Sequence, residues 1–206
     1  MNPKTKIILT VLLGLAWAGV AVVGGHALLS YENAPGEVGK VPSAWPVNSS
    51  IRLATDRPTL VVFAHPQCPC TRASISELAS IVAHTQSKAR VLVLFYTPRD
   101  TGDDWRNTDN CRTAAQIPGV SVLADVDGEE AERFGAETSG HAFLFEPNGR
   151  LLFNGGITAS RGHAGGNAGE SAIVSLIDNQ SAGSAQAFVF GCSFKTQREG
   201  DRKCLK

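Results

Sequence analysis

Apolar positions along the chain fall into runs of three kinds, and their order predicts the architecture. Ile7 to Leu29 is apolar and uncharged throughout, long enough for a membrane-spanning helix, which needs about 20 such residues. Pro58 to Ala64 and Arg90 to Tyr96 are short unbroken runs, the pattern of strands buried on both faces. Between them Ile75, Leu78, Ala79 and Val82 recur at helical spacing to about Thr85. Two such strands joined by a helix make a right-handed crossover with the strands parallel. The polar stretch from Thr97 to Ile117 predicts a helix around Asp109 to Gln116. A short strand follows at Val120 to Ala124, then a short helix at Gly128 to Phe134. Ala142 to Glu146 and Leu151 to Asn154 flank Pro147-Asn148-Gly149-Arg150, a hairpin with a strong turn signal. Ser171 to Ile177 closes the series as a helix with Ala172, Ile173, Leu176 and Ile177 on one face.

These runs predict an N-terminus at 1–6, a membrane anchor at 7–29, a folded domain at 51–180 and a tail at 181–206. Residues 30–50 carry Pro35, Gly36, Gly39, Pro42 and Pro46 without sustained periodicity, which reads as a linker. Lys4 and Lys6 precede the apolar run and Glu32 is the first charge after it. The positive-inside rule then leaves the N-terminus in the cytoplasm and the domain outside it. Ala16-Trp17-Ala18 resembles a signal-peptidase site, but the apolar run continues well beyond it, favouring an uncleaved single-pass anchor. A bacterial inner membrane with the domain in the periplasm fits this layout. Lys and Arg number 19, as do Asp and Glu, for a net charge of +0, so nothing marks a nucleic-acid binder.

Five cysteines are too few for a disulfide scaffold of this length, and the odd number leaves at least one unpaired, intermolecular or reactive. Two of them stand in Phe63-Ala64-His65-Pro66-Gln67-Cys68-Pro69-Cys70-Thr71-Arg72, between a predicted strand and a predicted helix. Pro69 suits a first helical position, which places Cys68 at the N-cap. Free backbone N–H groups and the positive end of the helix dipole would there favour its thiolate.

The order β-α-β, an inserted β-α pair, a β-hairpin and a final helix is that of the thioredoxin fold with an insertion. The fold expected is α/β, a mixed central sheet flanked by helices, preceded by one transmembrane helix. Phe63 to Leu78 resembles the active-site region of membrane-anchored redoxins of the TlpA/ResA type. Phe143-Leu-Phe-Glu-Pro-Asn-Gly-Arg150 resembles their Phe-Leu-Ile-Asp-Pro-Asp-Gly-Arg hairpin. The His-Pro-x-Cys-Pro-Cys-Thr-Arg stretch is most similar to RedB-type redoxins. The resemblance covers Thr59 to about Ile177. It implies a thiol–disulfide oxidoreductase acting on protein thiols or disulfides, without a cofactor, in which Cys68 is the nucleophile. Peroxiredoxins, which resemble this fold, use Pro-x-x-x-Thr-x-x-Cys. Counted from Pro66 the matching positions are Cys70 and Ala73, so that motif fails.

The chain departs from the resembling proteins twice. They carry Cys-x-x-Cys, whereas here Thr71 stands three after Cys68 and the second cysteine comes early, at Cys70. A Cys68–Cys70 disulfide would close a very small ring and be strained and oxidising. The alternatives are resolution of Cys68 by another thiol or a two-thiolate metal clamp. They also carry a cis-proline just before the third core strand, where this chain aligns Gly140, followed by His141. Losing that proline would uncover the sulfurs. The Gly-rich loop from Gly155 to His163 is expected to line the same groove, with Arg161 near a thiolate or an anionic substrate and His163 as base or ligand. With His65, His141 and His163 on converging segments, a copper-binding metallochaperone is the alternative to the redox enzyme. Pro66, Pro69 and Thr71 complete the expected surroundings of the pair. Cys111 reads as a buried helix residue. Cys192 and Cys204 are expected to pair with each other, or Cys192 to fold back as a resolving thiol.

Overall fold

The computed structural model describes residues 2–178 and 186–194, with the Asp103 side chain left aside. Two compact units are present, the first ending at Ala34 and the second starting at Pro35. The first is helix α1, Pro3–Glu32, whose N-cap Asn2 accepts from the Lys4 amide. It buries none of its residues and is apolar all round. It is long and apolar enough to cross a membrane.

The second unit is built on five strands: β1 Thr59–Ala64, β2 Arg90–Thr97, β3 Val120–Val126, β4 His141–Phe145 and β5 Leu151–Gly156. Their order in the sheet is β3-β2-β1-β4-β5. β1, β2 and β3 run parallel, with Thr59 opposite Arg90 and Val91 opposite Val120. β4 is antiparallel to β1, with Phe63 opposite His141, and β5 is antiparallel to β4. Helices α2 Thr71–Thr85, α3 Asp109–Gln116, α4 Glu129–Phe134 and α5 Ala168–Ile177 complete the unit. A single 3₁₀ turn spans Asp103–Arg106. This is a thioredoxin-like fold, with β3 and α4 as the inserted pair.

Every residue of β1 is buried, and the strand's period of two divides the core into two layers. Leu60, Val62 and Ala64 pack with Ile75, Leu78 and Ile81 of α2 and Ile173 of α5. Val61 and Phe63 pack on the other face with Phe134 of α4 and with Phe143 and Phe145 of β4. Each fully buried phenylalanine contributes roughly 1.5–3 kcal/mol of apolar transfer.

Two segments differ from the expectation. Residues 35–50, expected as a linker, are bound to the domain. The Gly36 amide donates to Val189 O at 2.7 Å, the Trp45 amide to Gly149 O at 2.8 Å, and the Leu151 amide to Ser43 O at 3.1 Å. The Trp45 ring meets Phe134 and Phe145 edge-on, each at 5.1 Å. Pro and Gly deny this strap a repeating pattern, but packing needs no repeat. The segment expected as a free tail also lies partly on the domain. Phe194 is buried in the second core layer and Val189 is buried as well.

Glu130 ties the strap to α4. It accepts from Ser49 Oγ at 2.6 Å, the Ser50 amide at 2.8 Å and Ser50 Oγ at 2.9 Å, and it pairs with Arg133 at 2.6 Å. Burial alone would raise its carboxyl, but the serine donors and the Arg133 charge hold it below the usual carboxylate value. A carboxyl whose folded value is depressed stabilises the fold above its unfolded pKa, and that contribution is lost as pH falls through the folded value. Glu130→Gln is expected to cost about 1–3 kcal/mol at neutral pH. The gap between variant and wild type should close in acid. Denaturant unfolding at neutral and acidic pH checks this, and a gap independent of pH would contradict it.

Candidate active site

The cysteine turn leaves the end of β1 and enters α2 through two tight turns. The Cys68 amide donates to His65 O at 3.2 Å and the Thr71 amide to Cys68 O at 3.1 Å. Helix α2 starts at Thr71, and the N-cap is Cys70, in right-handed helical conformation. The expectation that Pro69 opens the helix and Cys68 caps it is corrected by two residues, because Pro69 sits in the second turn instead.

The loop is pinned from three sides. Thr71 Oγ1 donates to His65 O at 3.0 Å and lies 3.0 Å from Ser139 Oγ, which accepts from the His65 amide at 2.9 Å. Asn110 Nδ2, on α3, donates to Pro66 O at 2.9 Å and Cys68 O at 3.1 Å. A groove of about 390 Å³ lies alongside, lined by Pro66, Gln67, Cys68 and Pro69 on one wall and by Thr108 to Asn110 on the other.

The segment at residues 190–194 meets the cysteine turn from another side. Residues 192–194 pair antiparallel with 137–139: the Ser139 amide donates to Cys192 O and the Phe194 amide to Glu137 O, both at 2.9 Å, with a bridge between Thr138 and Ser193. This pairing sets Cys192 Sγ 2.8 Å from Cys68 Sγ. The sulfurs of Cys68, Cys70 and Cys192 all lie within 4.8 Å of one another. Cys68 is fully buried, while Cys70 and Cys192 are half-buried. Cys204 lies outside the described residues.

The cluster decides where negative charge resides. The Cys192 thiol, then the Cys70 thiol, hydrogen-bonds the Cys68 sulfur and pulls its pKa far below the usual thiol value. These outweigh burial, and backbone N–H groups of Cys192 and Cys70 add to them. The chief cause is thus a neighbouring thiol from the far end of the chain, with the helix-start amide secondary. Cys192 is pushed up, first by its bond to Cys68, then by Cys70 and burial. Cys70 is helped by Cys192 but ends raised, because Cys68 and burial outweigh that help. The three titrate together, with the first anion held on Cys68. Arg161 donates to Gly191 O, and its charge favours a Cys70 thiolate. The expectation for Arg161 therefore places it beside the cluster.

Among the described residues no histidine joins the sulfur group. His65 stacks on Tyr96 at 5.6 Å, and its Nδ1 accepts from the Gln67 amide. Burial lowers it to about 4 despite the charge of Cys68. The His141 ring lies 4.1 Å from Phe143, and burial lowers it to about 3. Both face the aromatic core layer away from α2, so converging loops send their imidazoles to the wrong side of the sheet. His163 is exposed and its Nδ1 bonds Arg161 O at 2.9 Å. Among the described residues, the group able to hold a metal is the three cysteines alone.

No cis peptide bond is present among the described residues. Gly140 has φ +93°, and its amide donates to Phe63 O at 2.7 Å. A Cβ there would meet Ser74 Oγ at 2.8 Å. The opening expected from the missing proline is filled by residues 190–192. Sequence reasoning missed Ser139 and Asn110, polar side chains whose partners are backbone atoms distant in sequence. It had Cys192 only as one of two alternatives.

Solved structures resemble this chain at low identity. A hypothetical protein from Sinorhizobium meliloti superposes with a TM-score of 0.60 at 16% identity, over 78% of this chain and 98% of that one. An uncharacterized conserved protein from Geobacillus kaustophilus gives 0.54 at 16%, over 78% and 91%. StoA from Bacillus subtilis gives 0.41 at 15%, over 58% and 89%. At such identities the likeness is one of fold. No protein-family model matches the chain, and no curated protein sequence matches it.

Two outcomes follow from the geometry. The ultraviolet thiolate absorbance of the reduced protein should persist well below the usual thiol range and vanish in Cys68→Ser. Its midpoint should move up in Cys192→Ser, and an unmoved midpoint would contradict the assigned cause. Gly140→Pro, which restores the residue type expected there, should destabilise by more than about 1 kcal/mol, because it removes a bonded N–H and forbids φ +93°. Thermal unfolding checks it.

Proposed function

We propose that the chain is a membrane-anchored thiol–disulfide oxidoreductase whose domain faces the periplasm and acts on protein thiols or disulfides. The observation that carries this reading is the 2.8 Å approach of Cys192 Sγ to a Cys68 sulfur whose anion its neighbours stabilise. In an oxidising compartment two such sulfurs exchange readily with disulfides. The anchor is α1, and Lys4 and Lys6 on its N-terminal side favour the orientation with the domain outside.

The cycle starts with the Cys68 thiolate attacking one sulfur of a substrate disulfide. A Cys68–substrate disulfide forms and one substrate thiolate leaves. Cys192 then gives up its proton and attacks Cys68 Sγ. The second substrate thiol departs with a proton, leaving a Cys68–Cys192 disulfide. An external dithiol reduces it through the reverse exchange. Cys192, rather than Cys70, is the resolving thiol, since 124 residues separate it from Cys68 and no small strained ring is needed. Cys68 is fully buried, so substrate reaches it along the groove at Pro66–Pro69 with the 190–194 segment displaced.

Cys68→Ser is expected to reduce disulfide reductase activity to background. Cys192→Ser should accumulate a mixed disulfide with substrate, and Cys70→Ser should retain most of the turnover. Mass mapping of the oxidised wild type should find Cys68 joined to Cys192. Full activity in Cys68→Ser would sink the reading.

A further inference from the structure

Three sulfurs from two distant parts of the chain meet at one point, and nothing in the redox cycle requires more than two of them. Cys70 is the surplus. Its Sγ lies within 4.8 Å of both other sulfurs, at the N-cap of α2, and a bond from it to Cys68 would close a very small, strained ring. We infer that Cys68, Cys70 and Cys192 form an all-sulfur binding site for a soft monovalent metal ion, Cu(I).

The choice of metal follows from the donors. Soft thiolates select Cu(I) or Zn(II). Structural zinc takes four ligands, and among the described residues the cluster offers three, with His65 and His141 turned into the aromatic layer. Cu(I) is content with three. A trigonal ion at about 2.3 Å from each sulfur sets the sulfurs about 4 Å apart. The observed span of 4.8 Å accommodates this once Cys192 moves back from Cys68 by about 1 Å. Binding makes three Cu–S bonds, and the two S–H protons of Cys70 and Cys192 leave to solvent. The site then carries two net negative charges. The Arg161 guanidinium, tied to Gly191 O and acting on Cys70, offsets one of them. All three sulfurs must be reduced, so the metal-bound and disulfide forms exclude each other.

The full chain, reduced and in detergent, is titrated anaerobically with Cu(I) against a colorimetric Cu(I) chelator. One ion per chain is expected. Cys192→Ser and Cys70→Ser should each weaken binding on the order of 100-fold or more, while His163→Ala leaves it unchanged. X-ray absorption of the wild-type complex should show three sulfurs and no nitrogen. Equal affinity in wild type and Cys192→Ser, a nitrogen ligand, absence of stoichiometric Cu(I), or a preference for Zn(II) with a fourth ligand would each overturn the site. The absorption spectrum needs no variant, so it decides even if a serine variant fails to fold. Binding requires only reduced sulfurs, so a protein without reductase activity that still binds Cu(I) refutes the redox reading and leaves this one standing.

Discussion

The thiol cluster depends on two stretches of backbone meeting with no side chain between them. Residues 137–139 and 191–194 approach closely enough that a Cβ on Gly191 would overlap the Ser139 carbonyl. The reward for that closeness is a pair of 2.9 Å backbone bonds and a fixed register. Phe194, buried against Tyr96 at 6.2 Å, anchors the segment in the core. With Phe194 anchored and Gly191 against Ser139, Cys192 arrives over Cys68. A larger side chain at Gly191 would push the third sulfur out of reach.

The centre of the sheet was legible in the amino-acid sequence because β1, β2 and β4 are buried on both faces and write unbroken apolar runs. The helices were legible from spacing, and the hairpin from Pro147-Asn148-Gly149. Two parts were not. The strap at 35–50 reads as a linker because Pro and Gly erase periodicity, yet Trp45 fills a notch between Phe134 and Phe145. The segment around Cys192 lies 124 residues from its partner, and no local pattern encodes such a meeting. Where resembling proteins hold a proline, this chain has Gly140, which the sequence alone reads as an opening over the sulfurs.

The histidines teach the complementary lesson. Topology alone brings His65 and His141 to the same edge of the sheet as the cysteines. Strand alternation then decides the face, and it sends both into the aromatic layer, where burial keeps them neutral. What remains at the cluster is a simple electrostatic arrangement of one sulfur anion, two thiol donors and one guanidinium. A neutral His65 near Cys68 adds no competing positive charge, so the anion is sustained mainly by the other two cysteines and its position depends on the backbone pairing above.

Thr71 shows how the turn is held where the spacing of the motif departs from the resembling proteins. It stands where they hold their second cysteine, and here its hydroxyl is buried and bonded to His65 O and close to Ser139 Oγ. It holds the turn rather than reacting. A sulfur at that position would lose the short hydroxyl bonds that pin the loop. The resolving role in the proposed cycle passes to Cys192, which arrives on a segment held by its own backbone pairing to Ser139. Ser139 therefore joins both halves of the site: its hydroxyl steadies the loop that carries Cys68, and its amide holds the segment that carries Cys192. Separating the two backbone stretches breaks the second of these and can leave the first intact.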